Sequence, residues 1–429
     1  MFEQNGLSLD QAPPISVVLR FFLAGSLWGV AAGIWLMFQG STAIAPAMPE
    51  ALILTHMLTL GVMFSFMLGA LFQMLPVLAG LSIQAPSVLA IRTQYPLMAG
   101  TLFLLLAFGS GGGAYYILAT FFLLVGLLPA LGFILIRLEK VATHSASSRG
   151  MAHALFNALV VLTLGVILAG LRSGWWGSDH YLELRLAHMG YGLLGWIALL
   201  IVSVAFQVVE MFYVTPAYPR MLTRWLTPVI TWSLAGALLA GLFSVTVQNG
   251  LILLAMVGLG AQGLITLRRF SQRKRPLTDA TVWFWRTGSV ALVLSMLGGI
   301  LQMILPIPLW GTQMTALLFL FFATSSVLAM VYKIVPFLVW FHLNSQGYFT
   351  APMMHEVIHP TYAKKNLWIH LASLAVGLVS LLFPMLWSLA GALLALSFAW
   401  LGAGIYRGWH RYLDVERNGE KFSFDFPLS

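Results

Sequence analysis

The chain has 429 residues, 60% of them hydrophobic and 8% charged, with a mean hydropathy of +0.90; soluble domains carry roughly a quarter charged residues, so this is an integral membrane protein. Alternating segments of about ten residues are absent from the sequence, which excludes a β-barrel, and the lack of any Cys excludes disulfides, thiolate metal sites, iron–sulfur clusters and covalently attached haem. The net charge of +9 lies largely in particular loops, as membrane orientation requires; the lipid bilayer, not nucleic acid, is the expected partner.

In chain order, apolar segments predict twelve spans in a single polytopic domain, at about 16–38, 51–79, 92–109, 114–136, 151–171, 185–213, 225–243, 248–267, 283–305, 311–342, 366–384 and 387–406. The first fifteen residues are polar and include Pro13 and Pro14, so the first span is expected to act as its own insertion signal. Loops after the even spans carry Arg92, Arg137, Lys140, Arg220, Arg224, the run Arg268 to Arg275, Lys364 and Lys365, and the tail carries Arg407 and Arg411. Loops after odd spans carry almost none, which places both termini in the cytoplasm. The exception follows span five, where Arg172 and Arg185 are offset by Asp179 and Glu183.

The spans repeat. Leu71-Phe72-Gln73-Met74-Leu75-Pro76 in span two corresponds to Ala205-Phe206-Gln207-Val208-Val209-Glu210 in span six and to Val331-Tyr332-Lys333-Ile334-Val335-Pro336 in span ten. The openings Thr55-His56-Met57, Ala187-His188-Met189 and Thr312-Gln313-Met314 correspond as well. Three four-helix units, about 16–136, 151–267 and 283–406, imply a pseudo-threefold bundle that presents spans two, six and ten inward.

His56 and His188 therefore sit at similar depth in long apolar segments, toward the outer face. Ionisable side chains at membrane depth mark functional sites by default, and neutral imidazole is the commonest ligand for haem iron, copper or zinc. The two histidines fit axial ligation of a b-type haem, by both together or by His56 with Met314; copper held by His56, His188 and Met314 is the other metal reading. The competing interpretation is two histidines hydrogen-bonded between helices. Gln313 is placed to hydrogen-bond a ligand or a water. At the inner ends, Glu210 and Lys333 form either a salt bridge closing the cytoplasmic side or, with Gln73, part of a proton or ion path.

Twelve spans in three arcs, with a ligand His near the outer end of span two, resemble subunit I of the haem–copper oxidases, and in particular the NnrS-like branch associated with nitric-oxide metabolism. Span two, with His56 followed by Gly61, Phe64, Phe66, Gly69 and Pro76, looks like the low-spin haem helix of that family. His188 falls where the family keeps a copper-ligating His. The resemblance implies a bacterial inner-membrane protein of respiratory or nitrogen-oxide chemistry, transferring electrons at haem b or binding a gas such as NO, with a respiratory electron-transfer partner. The departures are specific. Span seven has no His, span ten has Gln313 and Met314 where the family has histidines, and Tyr191 lies three residues after His188 instead of four. A complete oxygen-reducing centre is thereby excluded. The alternatives are a proton-coupled transporter and a structural subunit without cofactor.

Three further features carry weaker signals. His355-Glu356-Val357-Ile358-His359 has the spacing of a zinc protease helix, but Pro352 and Pro360 leave that helix little room. Gly190-Tyr191-Gly192-Leu193-Leu194-Gly195 matches a dinucleotide fingerprint only as a string, because no strand precedes it. His153 and His370 open spans five and eleven near the cytoplasmic surface, where histidines are usually structural.

Overall fold

The computed structural model describes residues 12–421, apart from 47, 82, 142–143 and 276–277. It is all-helical, with no strand among the described residues. Ten helices are long and apolar enough to cross a membrane, as expected of a multi-pass membrane protein, in which only helices or closed barrels satisfy the backbone in lipid.

The helices are α1 (Ile15–Gln39), α2 (Pro49–His56, Met57–Phe64 and Ser65–Ala79 in one rod), α3 (Pro86–Ser110), α4 (Gly113–Glu139), α5 (Ala146–Ser173) and α6 (Tyr181–Gly190, Tyr191–Ala198 and Leu199–Tyr213 in one rod). They continue with α7 (Arg220–Ala240), α8 (Val245–Ser271), α9 (Ala280–Ile304), α10 (Leu309–Ser345), α11 (Pro360–Ser380) and α12 (Trp387–Asn418). Each predicted span falls on one of these rods. Two of them, α7 and α11, lie outside the ten apolar helices. Arg220, Arg224 and several Thr and Trp dilute the first, and Lys364, Lys365, Asn366 and His370 dilute the second.

The rods run past their apolar stretches because polar residues cap them. Ser145 and Ser244 accept from backbone N–H groups in the first turns of α5 and α8, and Asp279 does so for α9; such caps satisfy donors that helix starts leave free. At its other end α12 continues twelve residues beyond the predicted 406, because its last turns bury Tyr412 and Val415.

Neighbouring rods pack in sequence and α1 packs on α12, which closes the ring. That closure is tight: a Cβ on Gly391 of α12 would fall on the backbone of Met37 in α1. Without a hydrophobic drive in lipid, such close backbone approach is a main source of helix association. The most buried spans are α6 and α10. Together with α2, Phe22 and Trp285, they surround a small apolar cavity of about 60 Å³ at the centre.

Both α2 and α6 contain a π-helical segment. It covers Met57–Phe64 in α2 and Tyr191–Ala198 in α6. Both boundaries differ by 134 residues (191 − 57 and 198 − 64), the offset at which Phe72-Gln73 recurs as Phe206-Gln207. The shift to π hydrogen bonding is uncommon and gathers at functional sites. Here it follows His56 immediately and begins three residues after His188.

Candidate functional site: a histidine pair in an apolar cavity

His56 ends the α-helical part of α2, and its Nδ1 lies 2.8 Å from the carbonyl oxygen of Leu52, one turn back. The Nδ1 of His188 in α6 lies 3.1 Å from the carbonyl oxygen of Val161 in α5. A carbonyl only accepts, so Nδ1 carries the proton in both rings and Nε2 carries the lone pair. Neither Nε2 has a hydrogen-bond partner among the described residues. Fixing the tautomer through the far nitrogen is what metal-binding histidines generally do.

The two rings lie nearly parallel, with centroids 6.3 Å apart and planes inclined by 20°. A metal ion bound to two Nε2 atoms at about 2.0–2.1 Å, with ring centres roughly 1.1 Å further back, separates those centres by roughly 6–6.5 Å. The 6.3 Å between the two ring centres falls in that range. His188 is seated by Gly165, where a Cβ would stand 3.3 Å from the ring Cε1. His56 is packed by Phe108, with ring centroids 4.9 Å apart.

Both histidines line a cavity of about 340 Å³ enclosed by α2, α3, α4, α5 and α6. That volume lies within the range of small-molecule and cofactor sites, about 300–1,000 Å³. The walls are mostly aliphatic and aromatic, with Phe64 of one π segment packed against Trp196 of the other, ring centroids 4.8 Å apart and planes tilted by 31°. Toward the bundle end where α2 and α6 begin, Tyr116, Arg172, Tyr181 and Arg185 complete the lining. Arg172 Nε donates to the Tyr116 hydroxyl (2.9 Å) and Nη1 to the Tyr181 hydroxyl (3.3 Å). Two lining donors, Arg185 Nε and Trp196 Nε1, are buried without a partner. Buried donors of this kind normally find an acceptor.

The remaining expected site residues lie elsewhere. Gln313 donates from Nε2 to the carbonyl of Ile44 (3.2 Å), tying α10 to the turn before α2. Met314 is half-buried against the apolar core and does not line the cavity. Tyr191 is buried at the start of the π segment and likewise contributes no wall.

At the opposite end, Lys333 pairs with Asp279 and not with Glu210. Glu210 is exposed, and Gln73 is buried with its Oε1 unpartnered. The Lys333 ammonium also sits 5.6 Å from the centre of the Tyr213 ring. Burial pushes the Asp279 carboxyl up, but the Lys333 ammonium and the hydrogen bonds from Lys333, Thr281 and the Val282 N–H outweigh it and hold the group below the usual carboxylate range. Asp279 was not singled out from sequence, though an Asp directly before an apolar helical run is a capping signal.

The zinc-type motif does not form one helix. Met354–Val357 is a single turn, Ile358 is extended, and His359 caps α11 by accepting from the Thr361 N–H. Glu356 is occupied in accepting from the Met353 N–H (2.7 Å). No group of three or more His, Asp or Glu side chains able to hold a metal ion occurs among the described residues. His370 is a buried structural residue, stacked on Phe321 at 4.5 Å and 2.9 Å from the Ser325 hydroxyl.

No known protein-family profile matches the chain, and no curated protein is significantly similar to it.

Proposed function

We propose that the chain is a membrane haem protein that holds one haem b between His56 and His188. The carrying observation is the histidine pair itself: two imidazoles from facing helices, each with Nδ1–H fixed on a backbone carbonyl, with ring centres 6.3 Å apart on the wall of a cavity of about 340 Å³. The residues fit the group. Two nitrogen lone pairs serve the iron, aromatic and aliphatic walls suit a macrocycle, and unpartnered donors await acceptors. A bare copper ion needs far less room than this cavity offers, and Met314 lies away from it, which favours haem over copper.

When bound through two histidines, haem b supplies one-electron transfer. The chain's residues orient the ligand nitrogens, exclude water through the apolar wall and tune the potential through the Nδ1 hydrogen bonds. Gas binding, for instance of NO, would require one histidine to leave. Electron transfer in respiratory or nitrogen-oxide chemistry is therefore the favoured role.

In the same reading all twelve rods span the membrane, in three four-helix units arranged as in haem–copper oxidase subunit I and its NnrS-like branch. The π segments at an offset of 134 support the repeat. The loop charges support cytoplasmic termini in a bacterial inner membrane, with the haem toward the outer face. The transporter reading loses its coupling pair, because Lys333 is engaged by the helix-capping Asp279.

The test is a reduced-minus-oxidised visible spectrum of the purified protein, with His56→Ala and His188→Ala beside it. A b-type α-band that is lost or shifted in both variants supports the reading. A featureless spectrum with stoichiometric iron absent overturns it.

A further inference from the structure

Arg172 and Arg185 break the charge pattern of the chain, being cations on the side of the bundle that otherwise avoids them. Asp179 and Glu183 do not offset them by pairing. The ion pairs among the described residues are Lys333–Asp279 and Arg411–Asp414, and neither arginine has an acidic partner. Instead both line the histidine cavity. Arg172 is held in place by two phenols and lies over the Phe108 ring at 5.9 Å, the same ring that packs on His56. Arg185, one turn before His188, has its Nε buried with no acceptor.

A guanidinium beside an apolar cavity is costly to desolvate without an anion, and its planar fork matches carboxylates. That cost falls on the buried Arg185 Nε; Arg172 is exposed, and the phenols that fix its orientation leave its charge free to meet an anion. We infer that Arg172 and Arg185 form an anchor for the acidic end of the cavity's ligand: an amphiphile with an apolar, planar body between the histidines and carboxylates at the arginines. The inference rests on the haem reading for the body of the ligand, in which case the carboxylates are the two propionates. The anchor itself follows from the unfilled Arg185 donor and the oriented Arg172 in the same cavity lining. It fixes which edge of the macrocycle points toward the outer face and explains why these two arginines escape the orientation rule.

The experiment uses two probes that separate the anchor from iron ligation: metal-free protoporphyrin IX and its dimethyl ester, whose acid groups are blocked. Binding to the full-length protein in detergent is read by quenching of tryptophan fluorescence, Trp196 being in the cavity wall. Haem b retention is measured alongside, by the rate of haem loss to a scavenging globin. Charge-assisted hydrogen bonds of this strength predict binding weaker by about tenfold to a hundredfold for free-acid protoporphyrin in Arg172→Gln and Arg185→Gln, with the ester unaffected. Tyr116→Phe and Tyr181→Phe, which keep the cations, should show smaller losses in the same direction. Helical content by circular dichroism confirms that each variant is folded; if an arginine variant unfolds, the phenol variants and the acid-versus-ester ratio of the wild type carry the test. Equal affinity of the wild type for acid and ester, or a folded double arginine variant that still prefers the acid, overturns the anchor. A wild type that prefers the acid porphyrin but retains no haem keeps the anchor and overturns the haem reading.

Discussion

Asp279 does two jobs at the start of α9, and substitutions separate them. Its carboxylate accepts from the Thr281 N–H (3.0 Å) and the Val282 N–H (3.3 Å) as a helix cap, and it pairs with Lys333 of α10. The side chains of Lys333 and Asp279 are 20% and 36% exposed, between the exposed pairs worth about 0.2–1 kcal/mol and the buried ones whose breakage costs about 3–5 kcal/mol. Discounted for solvent screening, the pair contributes about 1–2 kcal/mol, and the cap about 1 kcal/mol. Asp279→Ala should therefore cost about 2–3 kcal/mol, whereas Asp279→Asn, which keeps a good cap, should cost about 1–2 kcal/mol. Lys333→Met should resemble Asp279→Asn, and the double variant Asp279→Asn with Lys333→Met should cost less than the sum of its parts. The assay is reversible unfolding in mixed micelles, followed by circular dichroism. Because the folded carboxyl titrates below its unfolded value, near 3.9, its contribution is full above that value and is lost as pH falls through the folded one. Asp279→Asn should remove this acid-side dependence. Additive losses in the double variant, or equal costs for Asn and Ala, would refute the reasoning and reopen a mobile role for Lys333.

Tyr218 should govern the alkaline limb. Burial pushes its phenol up to about 12, with its hydroxyl 3.1 Å from that of Thr266. The neutral form is favoured in the folded state, so stability is full below the unfolded value near 10 and falls as pH rises toward 12, by about 2–3 kcal/mol. Tyr218→Phe should lose about 1 kcal/mol at neutral pH and flatten this limb in alkaline unfolding titrations; an unchanged slope would show that another group sets it. Asn157, fully buried in α5, donates to the Gly195 carbonyl inside the α6 π segment and to the Thr231 hydroxyl, each at 3.1 Å. Asn157→Leu should cost about 1–3 kcal/mol and, by relaxing the turn beneath His188, shift the haem α-band; a variant destabilised with an unmoved band would uncouple the π segment from the ligand.

The rods were legible in the sequence because hydropathy alone reports a helix that must satisfy its own backbone in lipid. The repeat puts His56 and His188 at one depth, and the structure sets their rings 6.3 Å apart on one cavity wall. Depth was not enough for Met314: it shares the level of the histidines in the repeat but sits on α10, away from the cavity that α2 to α6 enclose. The π segments leave no such trace: i−5 bonding lengthens the helical period, but Met57–Phe64 and Tyr191–Ala198 are almost wholly apolar and so carry no pattern that would report it. Lys333 was assigned the wrong neighbour because the repeat alignment compared only residues within spans, while its partner stands one residue before α9. The His355 motif had the right spacing, but Pro360 favours extended backbone at the residue before it, so the turn ends before His359 can join it.

The pair's location also bears on the family resemblance. In the haem–copper oxidases the low-spin haem is shared by spans two and ten, and span six serves copper. Here His56 of α2 lies beside His188 of α6, and the α10 counterpart Gln313 is occupied in holding the Ile44 carbonyl. The cavity between α2 and α6 has an imidazole from each helix, π segments of matched position in both, and two arginines in its lining. Those arginines, Arg172 and Arg185 at the adjoining ends of α5 and α6, line the same cavity as the two histidines, and α10 contributes no residue to it.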